Sequence, residues 1–142
     1  MSPPDVLTSN RAAGSTVVAP AGVPRLREHR RVKPLRITVL MGGPSSEREV
    51  SLSSGEAVAK ALESLGHDVW RSDIGPDNLA VLERDVDVVF IALHGEFGED
   101  GKLQRVLEER GIRYVGSGPA ASERAMDKVV TKALLKAEGI RT

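Results

Sequence analysis

One stretch, Arg36 to Leu65, constrains this chain more than any other, because it reads as strand, glycine loop and helix in immediate succession. Residues 36–41, RITVLM, are a short β-branched and apolar run, the pattern of a strand. Gly42, Gly43 and Pro44 then break it as a tight turn would. Beyond a polar cluster that ends at Ser54, residues Ala57, Val58, Ala61, Leu62 and Leu65 recur at three- and four-residue spacing, giving a helix one apolar face. Ser53 with Glu56 fits a capping box at its start, and Gly66 fits its stop. Such a loop lies at the carboxyl end of a strand, where parallel α/β sheets place their ligands. Two chemistries stay open for it. Backbone N–H groups at a helix start favour an anion, whereas the carboxylates Glu47 and Glu49 suit a cation. The loop has neither G-x-G-x-x-G spacing nor a P-loop lysine, and a solvated, well-capped turn is the structural alternative to both.

The alternation continues down the chain. Residues 67–74 read as a second strand, with Trp70 as a packing residue and 75–78 as turn chemistry. Asn78 is placed to cap a short helix through Leu79, Val81 and Leu82. The most apolar run, Val86 to Leu93, is too short for a buried helix and fits a central parallel strand covered on both faces. It runs straight into a second glycine-containing acidic loop, His94 to Gly101. A short helix through Leu103, Val106 and Leu107 stops at Gly111, and 113–116 read as a fourth strand. A last helix is expected over 121–137, with Met126, Val129, Val130, Ala133 and Leu134 on one face. This order specifies an α/β fold, a three-layer, Rossmann-like parallel sheet with right-handed crossovers.

Residues 1–35 differ. Prolines scattered among Ser, Ala and Gly, with Arg25, Arg27, Arg30, Arg31 and Lys33 against Glu28, read as a disordered basic tail, leaving 36–142 as one domain. Twenty basic and twenty acidic residues cancel, so no global charge draws the chain to nucleic acid or membrane. The absence of cysteine excludes disulfides and thiolate metal sites and fits a reducing, cytoplasmic setting.

Three stretches go further than spacing can. GGPSSEREVSLSSG from Gly42, ALHGEFGEDGKLQ from Ala92 and YVGSGPAASERAMDKVVTK from Tyr114 resemble, in order and separation, the signature stretches of the amino-terminal domain of D-alanine–D-alanine ligases. The resemblance covers Arg36 to Thr142. It implies a pre-ATP-grasp domain of an ATP-grasp ligase, which phosphorylates one D-alanine carboxylate with ATP and Mg²⁺ and lets the amine of a second D-alanine displace phosphate. It also implies a possible homodimer, a place in peptidoglycan synthesis, and an ATP-grasp portion absent from this sequence, so that the chain alone is expected to be inactive. A stand-alone binding module derived from this domain is the alternative.

Residue by residue, the resemblance implies that Glu47 holds the ammonium of the first D-alanine. Val50 and Ser51 line that pocket, His94 with Gly95 lies near the substrate carboxylate and the transferred phosphoryl group, and Lys128 reaches the ATP phosphates. Each has a structural competitor. Glu47 could pair with Arg48 or Arg124, His94 could be a satisfied core histidine, and Lys128 could be one of an exposed row with Lys132 and Lys136. Glu49 reads as structural, and Glu96, Glu99 and Asp100 read as loop and capping residues rather than metal ligands. Lys102 and Arg105 depart from the family pattern, which expects a small or hydroxyl residue and a glycine there, and they bear on how closely the helix they open packs on its neighbour.

Overall fold

The computed structural model describes residues 33–142. The segment read as a disordered tail lies outside them except for Lys33, Pro34 and Leu35, and Leu35 already packs against the core. Four parallel strands, β1 (Arg36–Met41), β2 (Asp68–Asp73), β3 (Val88–Ile91) and β4 (Tyr114–Val115), lie in the order β2-β1-β3-β4. Between and after them run α1 (Arg48–Ser64), a 3₁₀ turn (Ala80–Glu83), α2 (Lys102–Glu109), α3 (Pro119–Met126) and α4 (Lys128–Ala137).

The side-chain alternation of β1 sorts the core into two layers. Ile37, Val39 and Met41 meet Ala59 of α1 on one face. On the other, Leu40 and Val89 meet Leu82 of the 3₁₀ turn and Leu103 and Leu107 of α2. Leu103 and Leu107, four residues apart and both 0% exposed, anchor α2, and burying such a side chain contributes roughly 1.5–3 kcal/mol. The expected three-layer parallel α/β architecture is therefore present. Connections from β1 to β2 and from β3 to β4 run in opposite directions along the sheet, and the helices that make them lie on opposite faces. The direction of travel reverses between β1 and β3, so their carboxyl ends form the topological switch point where ligands of such sheets bind.

Several local expectations are corrected. Helix α1 begins at Arg48 with Glu47 as its N-cap residue, so Ser53 and Glu56 lie inside the helix and form no capping box. Glu56 instead pairs with Arg71 and Lys60. Of the expected apolar face of α1, Val58 and Leu62 pack against the core, whereas Ala57, Ala61 and Leu65 are exposed and the fully buried residues are Ser51, Gly55 and Ala59. Small residues occupy the closest approach of α1 to β1: a Cβ on Gly55 would come within 2.6 Å of the Met41 Cβ. Asn78 donates its backbone N–H to the Gly75 carbonyl, and no side chain caps the 3₁₀ turn after it. The expected last helix is two, because Asp127 leaves the helical conformation and its carboxylate accepts from the N–H groups of Val129 and Val130 at 2.9 and 3.0 Å. The expected apolar face beyond that break is exposed among the described residues, Val129 by 79%. Trp70 packs as expected, under the Arg84 guanidinium, whose carbon lies 4.8 Å from the ring centroid. Among the described residues, no helix is long and apolar enough to cross a membrane.

Candidate functional site

The two loops that leave β1 and β3 meet at the switch point, and a buried serine joins them. Ser51, 0% exposed in the first turn of α1, accepts from the Gly42 N–H at 2.9 Å and donates to the Ala92 carbonyl at 2.8 Å. One hydroxyl thus ties the ends of both strands to the helix. Above it, Ser45 donates to the His94 carbonyl at 2.7 Å and accepts the Glu47 N–H at 3.1 Å. These bonds bring the Glu47 side chain over the backbone of Gly95. A Cβ on Gly95 would lie 2.9 Å from Glu47 Oε2 and 3.2 Å from the Ser45 Cβ. With φ at +67°, Gly95 also has a backbone that other residues rarely adopt.

The three charges that open α1 take different parts. The Arg48 guanidinium turns back to the Asp73 carboxylate and, at 3.2 Å, to the Gly43 carbonyl, bracing the loop against the end of β2. That guanidinium, with the Gly43 N–H at 3.1 Å, holds the Asp73 carboxyl below its ordinary range. Glu47 and Glu49 are exposed and enter no ion pair among the described residues, and Arg124 bonds the Ala120 carbonyl instead. The competing pairings of Glu47 with Arg48 or Arg124 are not formed.

Several N–H groups of the two loops are met by the chain's own oxygens. The N–H groups of Gly42 and Gly43 go to Ser51 and Asp73, and that of Glu47 goes to Ser45. In the second loop Gly95 donates to Glu99 Oε2 at 2.6 Å and Phe97 to Asp100 at 3.1 Å. These five N–H groups are spent on the chain's own oxygens, and the Glu47 carboxylate has no ion-pair partner among the described residues. No group of three or more acidic or histidine side chains among the described residues could hold a metal ion.

The remaining residues singled out from sequence separate. His94 is half-buried, with Nε2 3.2 Å from Ser54 Oγ and Nδ1 3.9 Å from Glu99 Oε1. Val50 is 56% exposed on α1. Lys128 opens α4, exposed, with no hydrogen bond or ion pair to Glu47 or His94 among the described residues. Asp100 accepts the N–H groups of Phe97 and Lys102 as a capping residue, and Glu96 pairs with Lys102. Lys102 and Arg105 are accommodated at the surface, and Arg105 reaches Glu123 of α3 at 3.1 Å, so α2 and α3 stay adjacent. Sequence reasoning gave no role at the crevice to Ser45, Ser54 or Glu99. The sole signal for Ser54 was its place three residues after Ser51, on the same side of a helix. Beside the crevice, a cleft of about 370 Å³ runs between β4 and α3, lined in part by Glu99, Gln104, Ser117 and Ser122.

The fold and site define the class: a parallel α/β domain whose switch point carries a carboxylate without an ion-pair partner and a half-buried imidazole. The comparisons with known proteins narrow that class. Residues 71–117 match the family model described as D-ala D-ala ligase N-terminus. The chain is 59% identical over 109 residues to the D-alanine–D-alanine ligase of Gloeobacter violaceus, covering 76% of this chain and 36% of that one. It is 54% identical over 110 residues to that of Geobacter sulfurreducens, covering 77% and 35%. Among solved structures, the Bacillus anthracis D-alanine–D-alanine ligase complexed with ATP superposes with a TM-score of 0.69 at 37% identity, over 78% of this chain and 37% of that one. The described domain is thus similar to the amino-terminal part of D-alanine–D-alanine ligases, and the chain spans about a third of the length of those curated relatives.

Proposed function

We propose that this chain supplies the first amino-acid site of an ATP-dependent D-alanine–D-alanine ligase of the ATP-grasp class, acting in the cytoplasm in peptidoglycan precursor synthesis. Glu47 accepts hydrogen bonds from the ammonium of the first D-alanine. His94 and Gly95 form the wall beside it, near the carboxylate that ATP phosphorylates, and Val50 borders the opening. Ser51 acts from beneath, by holding the two loops in register. ATP and Mg²⁺ are held chiefly by residues beyond those described, with Lys128 the one contribution to phosphate binding from this chain, so the 142 residues alone do not ligate. The full enzyme works as a homodimer. The observation that carries the reading is the Glu47 carboxylate, without an ion-pair partner among the described residues and set over Gly95 at the switch point of the sheet.

A charge-assisted hydrogen bond contributes roughly 1.5–3 kcal/mol, which is tenfold or more in affinity. Titration of the chain with D-alanine, followed by amide shifts of Gly95 and its neighbours, is expected to show binding that Glu47→Gln weakens by about tenfold or more. D-lactate, which lacks the ammonium, is expected to bind no better to the parent than to the variant. Equal D-alanine affinity in parent and variant would remove Glu47 from the role. Phosphate release from ATP and D-alanine by the chain alone would overturn its proposed inactivity.

A further inference from the structure

The His94 imidazole meets a different element at each ring nitrogen, and we infer that Ser54 and Glu99 are positioning residues that fix its tautomer and orientation. The inference rests on the reading of His94 as part of the amino-acid crevice. Ser54, one turn along α1 from Ser51, places its Oγ 3.2 Å from Nε2. Glu99 faces Nδ1, its Oε1 at 3.9 Å, while its Oε2 accepts the Gly95 N–H at 2.6 Å. The Glu99 N–H returns to the Gly95 carbonyl at 2.9 Å, so the carboxylate is fixed to the residue next to the ring it faces. Ser45 pins the His94 carbonyl from the first loop. The ring thus faces α1 on one side and its own loop on the other, while Ser45 holds its backbone.

The partners decide the tautomer. A carboxylate only accepts, so the ring nitrogen that faces it carries the hydrogen, and a hydroxyl can donate to the one that does not. Nδ1–H therefore points to Glu99, and the Nε2 lone pair accepts from Ser54. At 3.9 Å the Glu99 contact is too long for a hydrogen bond, so it orients the ring by charge, and the Ser54 contact sets its plane. The row of serine, histidine and carboxylate is not an acyl-transfer centre. The nearby N–H groups that could stabilise an oxyanion, those of Gly42, Gly43 and Gly95, are already donated to side chains. Its work is to hold one face of the imidazole beside the Glu47 carboxylate in a single tautomer before substrate arrives, which lowers the reorganisation needed on binding.

Long-range proton–nitrogen correlation spectra of the 142-residue chain at alkaline pH, where imidazole is neutral, read this directly. The chain has three histidines, and His94→Gln assigns the signal. His67 accepts the Leu35 N–H through Nδ1 at 3.2 Å, so it carries Nε2–H and reports on the fold. His94 is expected as Nδ1–H in the parent. Ser54→Ala and Glu99→Ala should each lose that preference while His67 is unchanged, and Ser54→Thr, which keeps the hydroxyl, should restore it. A parent spectrum with Nε2–H dominant at His94 overturns the inference by itself, whether or not a variant folds. So does a His94 pattern unmoved in both alanine variants. A fixed Nδ1–H with no response to D-alanine leaves this assignment standing and removes the binding reading, whereas D-alanine binding beside an unpinned ring does the reverse.

Discussion

Asp73 carries no substrate role, yet it decides how the first loop behaves in acid. Its carboxyl lies below the ordinary range because of Arg48 first, and then because of the Gly43 N–H. A carboxylate depressed on folding stabilises the native state above its unfolded value, about 3.9 for Asp. That contribution fades as pH falls through the folded value and is gone below it. The Arg48 and Asp73 side chains are 43% and 47% exposed, so solvent screening keeps the effect small. Thermal midpoints recorded from neutral pH into acid should show a slope below about pH 4 that Asp73→Asn lacks. An identical acid profile in the variant would show that the pair does not form. Thr38 makes the opposite point. It is 1% exposed and its hydroxyl has no partner. A buried polar group left unsatisfied costs roughly 1–3 kcal/mol, and valine keeps nearly the same shape. Thr38→Val should raise stability by about 1 kcal/mol in urea unfolding with an unchanged slope, and a loss would mean the hydroxyl finds a partner in solution.

Among the elements, strands were legible and helix edges were not. β1 and β3 lie within β-branched or apolar runs, β2 lies between Gly66 and the Gly75-Pro76 turn, and each falls within the run that its sequence pattern marks. The packing face of α1 was legible only at Val58 and Leu62, because its fully buried row, Ser51, Gly55 and Ala59 at four-residue spacing, carries little hydrophobic signal. Apolar periodicity finds large residues, and this contact selects small ones. The break at Asp127 was missed for a related reason: the apolar period continues across it, and only the carboxylate's capping bonds mark the boundary. At the crevice, the meeting of the Glu47 and His94 loops was legible, because each follows a strand of the parallel sheet. Ser45, Ser54 and Glu99 were not, because their contacts exist only once β1 and β3 are neighbours. Gly55→Ala tests the close contact directly. Helix propensity favours alanine by about 1 kcal/mol. The added Cβ would come within 2.6 Å of the Met41 Cβ, which is not the flexible end of a side chain, and overpacking typically costs about 1–3 kcal/mol. The clash should win, lowering the unfolding midpoint; a more stable variant would show that α1 can lift off β1 at little cost.

At the scale of the whole molecule, the strand–helix alternation fixed which loops share an edge, and that edge became the crevice. The core closes on both faces of the sheet without help from α4, which has no buried residue. Met126, Val129, Val130 and Leu134 are instead 45%, 79%, 38% and 49% exposed, leaving an apolar stripe outside the domain's own core. If the stripe contributes nothing to folding, a charge on it is neutral for stability. Substitutions at such surface positions usually stay within about 0.5 kcal/mol. Val129→Lys should therefore leave the urea midpoint of the dilute chain unchanged while improving its solubility. A drop of more than about 1 kcal/mol would place Val129 in a packed interface and contradict its exposure. Concentration dependence separates the two ways that could happen. A midpoint that rises with protein concentration in the parent but not in the variant would locate the packing between copies of the chain. A concentration-independent drop would locate it within one.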